Sequence, residues 1–273
     1  MALRHHLLKN TSRFLTHTTE VLGQNVSDLD GRHVVSPTAS SVLFLISEPC
    51  SLGKHSKTPW LVLNKRSQQV RQPGDLCFPG GGPSPRVDTI LAKSLSLPGF
   101  PFSRWRSQVG YPFSKNNHLL AQLLATCLRE SFEEMRLIPL AVKFLGPLPS
   151  QRLVMFDRVI YPMVGWVKYQ KYFRLNGEVE SLVHIPIEQL FNPDNYACFQ
   201  IAYPSELSVD TDQESRQLPC YVHRLGGIRE ILWGATYRMI MTFLWQVFDF
   251  IPPETSTLPK IDSPLSPAYF NRG

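Results

Sequence analysis

Several features are missing from this chain, and each absence excludes something. No stretch reaches the ~18–20 apolar residues that a membrane-spanning helix needs. The best run, Met239 to Ile251, is too short and contains Gln246 and Asp249. No long apolar segment stands near the N-terminus, so a secretory signal is not expected. There is no C-x-x-C pair, and the cysteines number five, an odd count. That argues against a disulfide framework or a zinc ribbon and fits a reducing compartment. Cys77 and Cys127 sit in apolar runs, where cysteine packs as a small hydrophobe. No internal repeat is present.

What remains is the composition of a globular protein. Hydrophobic residues make up 43% of 273 and charged residues 18%. This length allows one large domain or two small ones. The net charge of +6 suits an anionic partner, nucleic acid or a small polyphosphate, and equally suits solubility alone. The first 19 residues carry Arg4, Lys9 and Arg13 and no acid. Organellar transit peptides share that pattern, but an ordinary N-terminal helix is the expectation, in a cytoplasmic protein.

Residues 1–30 read as a helix and a connection. Val34-Val35, Ser41 to Ile46 and Trp60 to Leu63 read as strands, with a loop from Pro49 to Pro59. Leu76-Cys77-Phe78 is a short strand before the turn Pro79-Gly80-Gly81-Gly82. Residues 83–117 are rich in Pro, Ser, Gly and aromatics without clean periodicity. They read as a long inserted loop, of the kind that is usually functional or disordered. Arg104-Trp105-Arg106 mixes basic and aromatic groups as nucleic-acid grooves do, but reads here as packing within the insertion. From His118 to about 137, apolar residues at spacings of three and four give a helix with one buried stripe. Strands follow at 144–146, 158–167 and 179–185, a short helix at 186–191 and a last helix at about 230–248. The Pro/Ser-rich tail from 252 reads as mobile.

The chemistry concentrates on the helix that follows the insertion. Glu130, Glu133 and Glu134 share one face, and like charges one turn apart repel. A hard divalent cation, Mg²⁺ or Mn²⁺, removes that cost, because such ions take carboxylate and phosphate oxygens. Arg129 can orient a carboxylate through its guanidinium fork. Gly80 and Gly81 let backbone approach an anion closely. Lys65, Arg66 and Arg71 are candidates for holding substrate phosphates. Glu178 is weighed as a further metal ligand or base, and reads rather as a loop charge. His118 and His184 read as structural.

Arg129-Glu130-Ser131-Phe132-Glu133-Glu134-Met135-Arg136-Leu137 resembles the core of the Nudix box, R-E-U-x-E-E-x-G-U, where U is apolar. Gly81 or Gly82 is similar to its opening glycine, and Asp88 stands where an acid is usual. Leu63 to Gly81 resembles the segment marking the coenzyme A diphosphatase subgroup. Asn176 to Ile187 and Leu232-Trp233-Gly234-Ala235-Thr236 resemble two further motifs of that subgroup. The resemblance covers about residues 35–248. It implies an α/β/α sandwich with a mixed curved sheet and a long insertion before the catalytic helix. It implies a catalytic Arg129, and Glu130, Glu133 and Glu134 as metal ligands, one carboxylate serving as base. It implies hydrolysis of coenzyme A or its acyl derivatives to 3′,5′-ADP and 4′-phosphopantetheine. ADP-ribose or another nucleotide is the alternative substrate, and a weakened nucleotide-binding or partner-binding scaffold is the alternative to an enzyme.

Three positions depart from the resemblance. About 33 extra residues separate Asp88 from the helix, Arg136 replaces the box glycine, and Gln72 replaces a histidine. The expected organisation is a helical extension over 1–30, a domain over 31–250 with its insertion at about 89–115, and a mobile tail over 251–273. The expected partner is a small nucleotide, with no nucleic acid and no membrane.

Overall fold

The computed structural model describes residues 2–28, 38–48, 58–110, 115–153, 158–168, 170, 172–202, 215–262 and 269. The strand expected at Val34-Val35 and most of the loop expected at 49–59 lie outside them.

Strand β1 (Ala39–Ser47) is buried along its whole length. Its apolar run has no polar alternation, the mark of a strand covered on both faces. Val42, Phe44 and Ile46 join one core, and Leu43 and Leu45 join the other. β1 pairs parallel with β7 (Val159–Val167) and antiparallel with β2 (Trp60–Arg66). The sheet runs β3 (Leu76–Cys77), β2, β1, β7, β5 (Val142–Pro147). β4 (Gly80–Gly81) adds to β1, β6 (Gln151–Arg152) to β7, and β8 (Val179–Pro186) to β2. It is a mixed sheet of eight strands.

Helices α1 (Ala2–Lys9), α2 (Thr11–Gly23) and α6 (Gly234–Phe248) cover one face. Helices α3 (Pro85–Leu95), α4 (Pro101–Val109) and α5 (Lys115–Met135) cover the other. The α/β/α layering expected from the sequence is present. A second sheet, β11 (Ile228–Leu232), β10 (Ser215–Leu225), β9 (Tyr196–Ala202) and β12 (Lys260–Asp262), has its own small cluster of Ala197, Phe199, Cys220 and Val222.

Four expectations are corrected. The N-terminal extension is two helices whose Leu8, Phe14 and Leu22 lie in the main core. Within the segment read as a loop at 83–117, α3 and α4 are helices and α5 already begins at Lys115. Pro85 and Pro101 open α3 and α4 at positions where a missing N–H is harmless, and Gly110 closes α4 in the left-handed region at φ 64°. Ala92, Leu95, Phe102 and Trp105 are buried in the core they share with α5. Residues 230–232 are strand, and the last helix starts at Gly234. The tail is not wholly loose: β12 pairs with β9, and Tyr269 is buried.

Candidate active site

The acidic helix and the glycine turn meet despite the insertion, and Arg129 is the knot. Its Nε donates to Asp88 Oδ1 at 2.8 Å. Its Nη1 donates to Glu130 Oε1 at 3.0 Å and lies 3.2 Å from Glu133 Oε2. Its Nη2 donates to the carbonyl of Gly82 at 2.9 Å. One guanidinium therefore ties α3, the turn and α5 together. Asp88 is buried and holds the start of α3 as well, accepting from the backbone N–H of Ser84 at 2.7 Å and the Thr126 hydroxyl at 2.7 Å. The inserted helices thus begin with the group that orients Arg129.

The turn presses on the helix. A Cβ built on Gly81 would stand 2.6 Å from the Glu130 carboxylate. Gly80 has φ 153°, and a Cβ there would meet the backbone of Ser41 at 2.3 Å. Only glycine fits at position 80, and any side chain at position 81 must displace the Glu130 carboxylate.

The three carboxylates differ in surroundings. Glu133 is half exposed. Glu130 is partly covered, and burial raises its carboxyl, with Arg129 pulling the other way and Glu133 and Glu178 adding to the rise. Glu134 is buried, accepts from Asn64 Nδ2 at 2.7 Å, and is pushed up to about 8. Burial is the main cause, followed by the charges of Glu130 and Glu178, while the Gly80 N–H and Arg66 oppose it. Segment 174–178 brings Glu178 here. The N–H groups of Arg174 and Asn176 donate to the carbonyls of Met135 and Glu134 at 3.2 and 2.9 Å. Ser67 N–H donates to the Glu178 carbonyl at 2.9 Å.

No three acidic, His or Cys side chains among the described residues form a ready-made metal cage. The donor set still fits a hard cation. It is a crowd of carboxylates in which Glu133 and Glu178 raise the carboxyl of Glu130, and Glu130 and Glu178 raise that of Glu134. Beside them, the buried Asn64 Oδ1 accepts no hydrogen bond among the described residues.

The predicted phosphate-binding residues divide. Lys65 is engaged elsewhere, with Nζ 2.9 Å from Glu230 Oε1 and 3.4 Å from Glu180 Oε1. Arg66, Arg71, Gly80 and Gly81 line a cavity of about 500 Å³ on the sheet face opposite α5. Val42, Phe78, Arg158, Trp233, Arg238 and Tyr269 line it too. Asp75 sits in its wall, accepting from the Tyr269 hydroxyl at 2.6 Å and Trp233 Nε1 at 3.0 Å. Burial raises its carboxyl to about 6, against those two hydrogen bonds and Arg66. Sequence reading missed Asn64, Asp75, Arg158, Arg238 and Tyr269 as site residues. Trp233 carried a signal in its motif; a tyrosine 194 residues from its partner carried none.

No family model matches the chain. Over 194 residues it is 25% identical to NudL, an uncharacterised Nudix hydrolase of Pectobacterium atrosepticum, a match covering 70% of this chain and 77% of that protein. The sequence match supports the Nudix hydrolase superfamily. Solved Nudix structures resemble parts of the chain. A hydrolase from Alicyclobacillus acidocaldarius is 17% identical with TM-score 0.37, covering 57% of this chain and 82% of that one. A C. elegans Ap4A hydrolase is 11% identical with TM-score 0.35, covering 56% and 83%. The Nudix domain of Shewanella oneidensis NrtR, solved with ADP ribose, is 12% identical with TM-score 0.33, covering 62% and 84%.

Two departures from the Nudix pattern have structural consequences. Arg136, in place of the box glycine, adopts φ 56°, and Gln72, in place of histidine, adopts φ 55°. Both occupy a region that disfavours side chains.

Proposed function

We propose that the protein is a metal-dependent Nudix pyrophosphohydrolase acting on a nucleoside diphosphate linked to another moiety. Coenzyme A or an acyl derivative is the substrate that the sequence motifs favour. The observation that carries the reading is Arg129, which holds Asp88, Gly82, Glu130 and Glu133 at once. A solvated acidic face needs no such knot.

Glu130, Glu133 and Glu134 would hold Mg²⁺ or Mn²⁺, with Glu178 and Asn64 Oδ1 within their circle. A bound cation supplies electrophilic polarisation of the anhydride, worth several kcal/mol. The chain's own groups do the rest. Arg129 fixes the Glu130 and Glu133 carboxylates before substrate arrives, so their geometry needs no reorganisation. Asn64 and the Gly80 N–H fix Glu134. The glycine turn lets a diphosphate approach Glu130 along its backbone, and the cavity beyond receives the rest of the nucleotide. One carboxylate serves as base; burial makes Glu134 a group able to carry a proton at neutral pH.

The test is turnover of coenzyme A and ADP-ribose with Mg²⁺, before and after chelation, for the wild type, Glu133→Gln and Glu134→Gln. The expected result is metal-dependent hydrolysis of coenzyme A, with kcat lower by roughly 10²–10⁴-fold in either variant. Full activity after chelation, or wild-type rates in both variants, would refute the reading. Preference for ADP-ribose would move the substrate and keep the chemistry.

A further inference from the structure

The cavity has a second end that the diphosphate chemistry does not use. In β1, Ser41 lies opposite Gly81, and its hydroxyl donates to the Leu123 carbonyl of α5 at 2.8 Å. Ser40, one residue along, points the other way, into the cavity. There its hydroxyl oxygen accepts from Arg158 Nη1 at 3.3 Å. One residue of strand is about 3.3 Å, so this end and the glycine turn lie within reach of one small molecule.

Arg238 lines the same end. It donates to Gln151 Oε1 at 3.3 Å and to the Arg152 carbonyl at 2.7 Å. Neither Arg158 nor Arg238 has a carboxylate within ion-pair distance among the described residues. Lys65 and Arg129, by contrast, are each matched by two or more. Gly234, Ala235 and Thr236, the opening turn of α6, complete the wall. Trp233 caps that helix with no side-chain hydrogen bond, so the helix adds its positive end to two guanidiniums that no acid among the described residues neutralises. Between this end and the glycine turn the wall is apolar, with Val42, Phe78 and Ile160.

We propose that the Arg158–Arg238 end is a second anion subsite, taking a phosphate monoester that the substrate carries apart from its scissile diphosphate. This rests on the hydrolase reading above and narrows its substrate to nucleotides with an additional phosphate. Arginine suits the task because its planar fork matches phosphate oxygens. The apolar middle suits a nucleoside lying between the two anionic groups.

The test is calorimetric titration of the full chain, kept metal-free, with two probes that differ by one phosphate: 3′,5′-ADP and AMP. Wild type should prefer 3′,5′-ADP. Arg158→Gln and Arg238→Gln should each weaken 3′,5′-ADP about tenfold, the scale of one charge-assisted hydrogen bond, and leave AMP unchanged. Arg158→Lys, which keeps the charge, should retain part of the preference. Equal weakening of both probes, an unaltered preference in Arg158→Gln, or no preference in wild type would each overturn the proposal. Arg158 is exposed, so its variant decides the matter even if Arg238→Gln fails to fold. The readout needs no turnover. Metal-dependent hydrolysis without a phosphate preference would sink the subsite alone. The preference without hydrolysis would sink the hydrolase reading alone.

Discussion

Gly81 leaves no room for a methyl group, and the atoms in the way belong to Glu130. Its backbone lies outside the positive-φ region, so alanine there can fold but must push the carboxylate aside. Gly81→Ala should lower kcat by about tenfold or more while thermal stability stays near wild type, since a misplacement of about 1 Å is enough to weaken catalysis strongly. Unchanged turnover would mean that Glu130 is free to move. Arg136 presents the opposite case. It holds φ 56° where glycine would rest without strain, and its guanidinium lies 4.9 Å from the Phe132 ring. Strain outweighs an exposed cation–π contact, which contributes about 0.5–1 kcal/mol. Arg136→Gly should therefore leave stability level or raise it by about 1 kcal/mol, measured by urea unfolding. A loss would show that the ring contact dominates. At this scale the acidic cluster, Arg129 and the glycines were legible in the sequence, because their spacing is local. Asn64 and Asp75 were not, since their partners come from remote segments.

Among the elements, the inserted pair α3 and α4 departs most from the sequence reading. Composition hid it: Pro and Ser start these helices rather than break them, and each is too short for a long periodic stripe. The spacing Asp88, Ala92, Leu95 and the pair Phe102, Trp105 held the signal. A short Gly/Ser connection in place of 89–115 would remove core side chains, Leu95 and Trp105 among them. Trp105 is fully buried, stacks near Phe102, and donates from Nε1 to the Leu145 carbonyl at 3.0 Å. Trp105→Ala should cost about 3–5 kcal/mol, and deletion of both helices should prevent folding. A deletion variant with a native melting transition would restore the reading as a loop. The catalytic helix and central strands were legible because their apolar patterns are long. The second sheet was not, for its strands pair across distant parts of the chain and one of them lies in the Pro/Ser-rich tail.

For the molecule as a whole, the cavity wall couples distant segments through a carboxyl that titrates unusually. Asp75 lies on the loop before β3, Trp233 precedes α6, and Tyr269 belongs to the tail. Its carboxyl is raised from the ordinary 3.8 to about 6. A carboxyl raised in the folded state favours folding while protonated. Its contribution is therefore fully present below about pH 4 and is lost as pH rises through 6. Unfolding free energy should fall across that window by at most about 3 kcal/mol from this group, and Asp75→Asn should flatten the fall. Equal slopes in both proteins would place the titration elsewhere. The same arrangement gives the protein a built-in optical probe. The Trp233 indole faces the cavity and donates to Asp75, whereas Trp105 and Trp166 are sealed in the core and Trp60 and the exposed Trp245 stand outside the cavity lining. Their emission forms a constant background. A ligand entering beside Trp233 changes its polarity and its neighbouring charge, so filling of the pocket should register as a wavelength shift in ultraviolet fluorescence, with no label attached and no reaction required.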